Sequence, residues 1–91
     1  MREDQEMHYL SKLSENQSYN IKEGEVIKAM YISTQPCVGV VVGSRTKYGW
    51  AKQYQIELLE DLKLDFTDRI YLKGMVISVV NYDVIEVIEN L

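Results

Sequence analysis

The C-terminal third of the chain alternates short apolar runs with turn residues at a regular spacing. Residues 68–72, 75–80 and 84–88 are rich in Ile, Val and Tyr, and residues 73–74 and 81–83 separate them with turn formers. Runs of this length, with turn signals about every ten residues, are typical of antiparallel strands in a sandwich or small barrel. The pattern therefore predicts three consecutive strands with two turns between them.

The choice of apolar residues indicates the same class of structure for the whole chain. Val and Ile together number eighteen and Tyr seven, whereas Ala occurs twice, and β-branched and aromatic residues suit a pleated surface. A chain of 91 residues forms one domain with a modest core. Because closure removes exposed sheet edges, we predict a mainly β fold, a small and partly open antiparallel β-barrel of about five to six strands. This barrel is expected over residues 21–91, after a polar N-terminal arm over residues 1–20.

Two further strands are predicted between residues 26 and 42. Residues 26–33 alternate, which places Ile27, Ala29 and Tyr31 on one face. Residues 37–42 form a continuous apolar run, typical of a strand that is buried on both faces or lies at a barrel corner. The chain's single proline stands just before this run and has no N–H to donate, so we expect it at a strand start, an edge or a bulge.

The segment that follows has two possible structures. Residues 43–49 begin and end with glycine and are otherwise mostly polar, so we predict a loop there, with Trp50 at its exit. Residues 53–58 alternate polar and apolar side chains strictly, which favours a strand over residues 53–59. The alternative is a helix across residues 51–64, because three of its leucines also fit a helical face.

The charge pattern separates a basic segment from an acidic strip. Residues 44–55 have a net charge of +3 on a chain whose total is −4, and three aromatic residues are interleaved with the cations. Such a segment suits a solvated hairpin loop, a protein-contact loop, or a groove for single-stranded nucleic acid. The acidic strip, residues 57–68, could pair with a basic partner or with the basic segment of a neighbouring copy, as in a ring. The predicted partner-binding residues are Arg45, Lys47, Tyr48, Trp50, Lys52, Glu60, Asp61 and Asp65.

The sequence contains none of the recognised motifs for catalysis or cofactor binding, and paired carboxylates are the catalytic arrangement that its fourteen acidic residues leave open. The single histidine, His8, lies in the predicted arm, which is a poor position for a catalytic base. The chain has no phosphate-binding loop, no dinucleotide-binding glycine pattern and no calcium loop. Its single cysteine, Cys37, can form neither an internal disulfide nor a zinc cluster and is expected to be a small buried residue. We therefore expect no enzymatic activity, no cofactor and no metal.

Sequence features of export and of membrane insertion are also missing. The first residues are polar and acidic and lack the apolar core of a signal peptide. The longest apolar runs are too short to cross a bilayer. A lone cysteine fits a reducing compartment. We predict a soluble protein that is cytoplasmic during synthesis and does not bind membranes.

The C-terminal strands carry a resemblance to a viral protein family. Residues 68–79 follow the pattern Asp-x-Ile-x-x-x-Gly-x-x-x-x-Val, and Asn-Tyr-Asp follows at residues 81–83. In this the chain resembles the small head–tail connector (stopper or adaptor) proteins of tailed bacteriophages, in which a hairpin with a glycine turn completes a compact barrel. The resemblance implies a non-enzymatic virion component that forms a ring on the portal or tail and bridges neighbouring rings.

The leading functional prediction is an assembly or adaptor protein that docks on a larger complex, such as a phage head–tail connector or tail-completion ring subunit. Its expected partners are copies of itself and neighbouring structural subunits, and its final location would be the virion. One alternative is a barrel that binds single-stranded nucleic acid through the basic segment, with Tyr54 as a further stacking residue. Another is a small acidic phage-encoded inhibitor of a host defence enzyme.

Overall fold

The computed structural model describes residues 18–32, 34–49 and 51–90, with the last two of these as main chain only. Most of the predicted N-terminal arm, including His8, lies outside the described residues, and so does Trp50, one of the predicted contact residues. None of the described helical residues forms a helix long and apolar enough to span a membrane. The strands are β1 Glu25–Tyr31, β2 Gln35–Tyr48, β3 Ala51–Leu58, β4 Leu62–Lys63, β5 Ile70–Tyr71, β6 Val76–Val80 and β7 Val84–Asn90, with a 3₁₀ turn at Asn81–Asp83.

Five strands form one antiparallel sheet in the order β6-β3-β2-β1-β7, and β4 pairs with β5 in a small second sheet. The 3₁₀ turn Asn81–Asp83 joins β6 to β7, which are the opposite edges of the five-stranded sheet. A connection of this length spans at most about 14 Å, whereas the outer strands of a flat five-stranded sheet lie about 19 Å apart. The sheet is therefore strongly curled, and β1 contacts β6 across its concave side. A mainly β, antiparallel and incompletely closed fold is confirmed.

The long strand β2 corrects one prediction. Residues 43–49 are not a loop, because β2 continues to Tyr48 and pairs with β3 along this stretch. Two register shifts, between Val41 and Gly43 and between Thr46 and Tyr48, interrupt the ladder locally, but the pairing continues beyond each of them. The sequence of this stretch resembles that of a loop because this end of the hairpin is exposed to solvent and therefore carries polar side chains.

The strand predicted over residues 53–59 is confirmed as β3, and the helix alternative over residues 51–64 is wrong. The core face of β3 consists of Tyr54, Ile56 and Leu58, all fully buried, as strict alternation requires. Two of the leucines that also fit a helical face, Leu58 and Leu62, are buried on separate strands instead.

The turn predicted at residues 73–74 is present, but it does not join two paired strands. Gly74 has a φ of +94°, and the amide of Met75 donates to the carbonyl of Leu72 at 3.0 Å. The strand before the turn, β5, pairs with β4, and the strand after it, β6, pairs with β3. The simple hairpin expected between residues 68–72 and 75–80 is therefore wrong, because residues 62–63 supply a nearer partner for β5.

The core lies on the concave side of the sheet and is covered at one point by the segment before β1. Ile27 and Ala29 are fully buried on β1, and Ile21 packs into the same cluster. Cys37 is a buried free cysteine, as predicted. Burial raises the pKa of the Cys37 thiol to about 11, so the thiol stays protonated near neutral pH.

Candidate functional site

The basic–aromatic segment lies at the end of the β2–β3 hairpin, and we call its exposed residues 45–48 the hairpin tip. The Nε of Arg45 donates to the Oε1 of Gln53, its cross-strand partner, at 2.8 Å. The Lys47 ammonium lies 5.9 Å from the centre of the exposed Tyr48 ring. Arg45, Lys47 and Tyr48 therefore form a charged and aromatic projection that solvent or a partner can reach.

Lys52 and Tyr54 have structural contacts instead. The Nζ of Lys52 donates to the carbonyl of Tyr19 at 3.2 Å and lies over the rings of Tyr19 and Tyr54. The buried Tyr54 hydroxyl donates to the carbonyl of Ser18 at 2.6 Å and accepts from the amide of Ile21 at 3.2 Å. These bonds hold residues 18–21 against the barrel. Neither side chain is available for contact with a nucleic acid. Among the described residues of the basic segment, the nucleic-acid alternative could therefore use only the hairpin tip.

The predicted acidic contacts, Glu60, Asp61 and Asp65, are all exposed and lie beyond the opposite end of β3. The eight residues of β3 correspond to a length of about 26 Å, so the acidic residues and the hairpin tip are well separated. The Oδ1 of Asp61 accepts the amide of Lys73 at 2.8 Å, which fixes the neighbouring turn. The structure therefore does not bring the two predicted groups together on one molecule.

A third surface was not predicted from the sequence. A pocket of about 310 Å³ lies where β1 ends beside the small β4–β5 sheet, and we call it the Arg69 pocket. Tyr31 and Tyr71 meet at its base as an edge-to-face pair with ring centres 5.4 Å apart. The residues that line it are Tyr31, Ile32, Leu64, Phe66, Thr67, Arg69 and Tyr71.

Hydrogen bonds order the polar side of the Arg69 pocket. The Tyr31 hydroxyl donates to the Tyr71 hydroxyl at 3.2 Å, and the Nη1 of Arg69 donates to the same oxygen at 3.1 Å. The bond to Tyr71, together with burial, raises the pKa of Tyr31 to about 12. The two donated bonds lower the pKa of Tyr71. The Tyr71 hydroxyl therefore accepts two hydrogen bonds, one from Tyr31 and one from Arg69.

The connection between β3 and β6, residues 59–75, displays several large apolar side chains, one of which, Phe66, also lines the pocket. Phe66 is 61 % exposed and Leu72 is 55 % exposed, although both are large and apolar. Leu62 and Leu64, in the same connection, are buried and anchor it to the core. The exposed large apolar residues of the connection are Leu59, Phe66, Ile70, Leu72 and Met75.

Comparison of the chain with protein-family models, curated proteins and solved structures gives no match. Within the described part of the chain, no group of His, Cys, Asp and Glu is arranged to hold a metal ion.

Proposed function

We propose that this protein is a non-enzymatic adaptor that docks on a larger protein complex. The observation that supports this proposal is the β3–β6 connection, which exposes five large apolar side chains within residues 59–75. Apolar clusters of this kind on a soluble domain are characteristic of protein contacts. The nearby arginine and tyrosines are the residue types enriched at interface centres.

The connection is held firmly enough to act as a preformed surface. The amide of Leu58 donates to the carbonyl of Met75, and the amide of Gly74 donates to the carbonyl of Leu58, each at 2.9 Å. These bonds close the two ends of the connection onto β3, while buried leucines fix its middle. A surface that is already ordered loses less conformational entropy on binding, so more of the contact energy appears as affinity.

Charge separation along β3 supports a second copy of the chain as one of the partners. The hairpin tip is basic, and Glu60, Asp61 and Asp65 lie beyond the other end of the strand. Complementary patches at opposite ends of one molecule favour head-to-tail contacts, which form a ring when the rotation closes. In this finer form of the proposal, the protein is a ring subunit at the head–tail junction of a tailed bacteriophage, and neighbouring structural subunits occupy the apolar surface.

Affinity capture with two matched double variants tests the docking role. The wild-type protein is tagged and mixed with a lysate of its native source. We expect it to recover structural subunits of the larger complex at both low and moderate salt concentrations. Replacing Phe66 and Leu72 with serine removes two exposed apolar contacts, and we expect recovery to fall by about tenfold or more. The control replaces the exposed Val42 and Ile88 with serine, which lie outside the connection, and should recover the wild-type amount.

Three results of the capture would contradict the docking proposal. Equal recovery by both double variants would show that the connection is not the contact surface. Recovery of nucleic acid alone, lost as the salt concentration rises, would assign function to the hairpin tip. Recovery of one host enzyme in place of structural subunits would support the inhibitor alternative.

Charge reversal tests the contact between copies. Changing Arg45→Glu together with Lys47→Glu should abolish concentration-dependent self-association in sedimentation velocity, because the hairpin tip would then repel the acidic residues of the next copy. Changing Glu60→Lys together with Asp65→Lys should have the same effect. In a mixture of the two variants, each contact between unlike copies pairs opposite charges, so the mixture should assemble again with the two variants alternating. Head-to-tail contact would be excluded by a reversed variant that assembles like the wild type, or by a wild type that stays monomeric.

A further inference from the structure

We infer that the Arg69 pocket binds a segment of a partner protein that carries a carboxylate next to a large apolar side chain. This inference deepens the proposed function and rests on it, because the pocket belongs to the same β3–β6 connection. It specifies the chemistry of the partner, which the exposed apolar side chains alone do not.

Two side chains of the pocket, Tyr71 and Arg69, have hydrogen-bond donors that no described residue engages. A tyrosine hydroxyl has one proton to donate and two lone pairs to accept with. The Tyr71 hydroxyl accepts from Tyr31 and from Arg69, so both lone pairs are occupied and its own proton finds no acceptor among the described residues. The Arg69 guanidinium has five N–H groups, and a single one of them is engaged within the described part of the chain. The two donor groups are adjacent, with the Nη1 of Arg69 3.1 Å from the Tyr71 hydroxyl oxygen, so an oxyanion bound beside them would be within reach of both.

The backbone of Arg69 is fixed before any ligand arrives. Its amide donates to the Oγ1 of Thr67 at 2.9 Å, and its carbonyl accepts from the amide of Leu64 at 3.2 Å. The side chain is exposed, and its guanidinium carbon lies 5.9 Å from the centre of the Tyr71 ring. Among the described residues, no carboxylate forms an ion pair with Arg69. An exposed planar guanidinium is suited to bidentate contact with a carboxylate.

The lining of the pocket also includes apolar side chains. Ile32, which is 59 % exposed, lines it together with Phe66 and the buried Leu64. Ile32 has a φ of +51°, a left-handed backbone conformation that β-branched residues rarely adopt because of steric crowding. A strained residue that displays an apolar side chain is a known feature of binding surfaces.

Size and charge narrow the ligand to a carboxylate beside one side chain. A volume of about 310 Å³ is at the lower end of the range for ligand sites, which leaves room for a single apolar side chain and its neighbouring acid. Phosphorylated segments are usually bound by clusters of arginines, whereas the residues that line this pocket include one cation. We therefore assign the oxyanion to an aspartate, a glutamate or a C-terminal carboxylate of the partner.

Three small probes test the assignment by NMR titration of the ¹⁵N-labelled full chain. N-acetyl-phenylalanine carries the carboxylate and the ring, N-acetyl-phenylalaninamide lacks the charge, and phenyl phosphate replaces the carboxylate with phosphate. We expect the amides of residues 31–32 and 64–71 to shift with the acid. The acid should bind about tenfold or more tightly than the amide, as a charge-assisted hydrogen bond predicts. Equal binding of acid and amide would overturn the inference. Tighter binding of phenyl phosphate than of the acid would also overturn it, because the ligand would then be a phosphorylated segment.

Two variants with the same change in charge complete the test. Arg69→Gln should weaken binding of the acid about tenfold and leave binding of the amide unchanged. Lys22→Gln removes one positive charge from an exposed residue before β1 and should leave both affinities as in the wild type. An Arg69→Gln protein that binds the acid normally would overturn the inference.

The outcomes separate this inference from the proposed function. Capture of structural subunits that depends on Phe66 and Leu72, without binding of the acid probe, would keep the adaptor function and remove the carboxylate pocket. Binding of the acid probe without any captured partner would keep the pocket and remove the adaptor function.

Discussion

Replacing Gly39 with valine is expected to lower the free energy of unfolding by about 3 kcal/mol or more. A Cβ atom at this position would lie 2.8 Å from the carbonyl oxygen of Glu57 and 3.1 Å from two side-chain atoms of Ile56. The carbonyl belongs to the backbone of β3, so it cannot move away without disturbing the β2–β3 ladder. Urea denaturation followed by far-UV circular dichroism measures the loss.

A second glycine of the same hairpin provides the control. A Cβ atom at Gly49 would meet nothing within 4 Å, and its φ is not positive, so Gly49→Ala should change stability by less than about 0.5 kcal/mol. Gly39→Ala separates the clash of the Cβ atom from the added bulk of the valine side chain, because alanine introduces the Cβ atom alone. If Gly39→Val unfolded at the wild-type urea concentration, the two strands could not approach as closely as the structure has them.

Replacing Tyr54 with phenylalanine should cost about 2 kcal/mol of stability, although it removes a single oxygen atom. The hydroxyl satisfies the carbonyl of Ser18 and the amide of Ile21, and all three residues are buried. Without it, the buried amide of Ile21 and the carbonyl of Ser18 would each lose this hydrogen bond, and the cost of their desolvation would not be recovered.

Amide hydrogen exchange locates the effect of this substitution. We expect the Ile21 amide to exchange much faster in the Tyr54→Phe protein, while the amides of β2 and β3 lose only the protection that follows from lower global stability. Tyr48→Phe changes an exposed tyrosine at the hairpin tip and should leave the Ile21 amide protected. Unchanged protection of Ile21 in the Tyr54 variant would mean that other contacts hold residues 18–21 in place.

The elements that could be predicted from the sequence are those that nearby residues determine. Strict alternation identifies β3 because each side chain's direction is set by its immediate neighbours. The turn at Gly74 could be predicted because glycine adopts a positive φ without steric cost. The pairing of β5 with β4 could not, because the choice of partner strand depends on where Leu62 and Leu64 are buried, and that is a property of the assembled core.

The functional surfaces show the same division. The charges of Arg45, Lys47 and Lys52 can be read from the sequence. That Lys52 is half-buried against Tyr19 and Tyr54 becomes apparent only in the fold. The Arg69 pocket depends on the meeting of β1 and β5, whose residues Tyr31 and Tyr71 are forty positions apart. No local pattern connects two such positions, so a one-dimensional reading could not find the pocket.

The short 3₁₀ turn between the two edges of the sheet also affects how the domain folds. It delivers β7 to β1, so the first strand of the sheet obtains its second partner from the last strand. Pairing between segments so distant along the chain slows folding, because a long loop must close before the contacts form. The turn can place β7 on β1 only when β6 already lies on β3 and the sheet has curled. We therefore expect the edge of β1 that pairs with β7 to be the last to find its partner during folding, and unfolding to involve all five strands of the main sheet in one cooperative step.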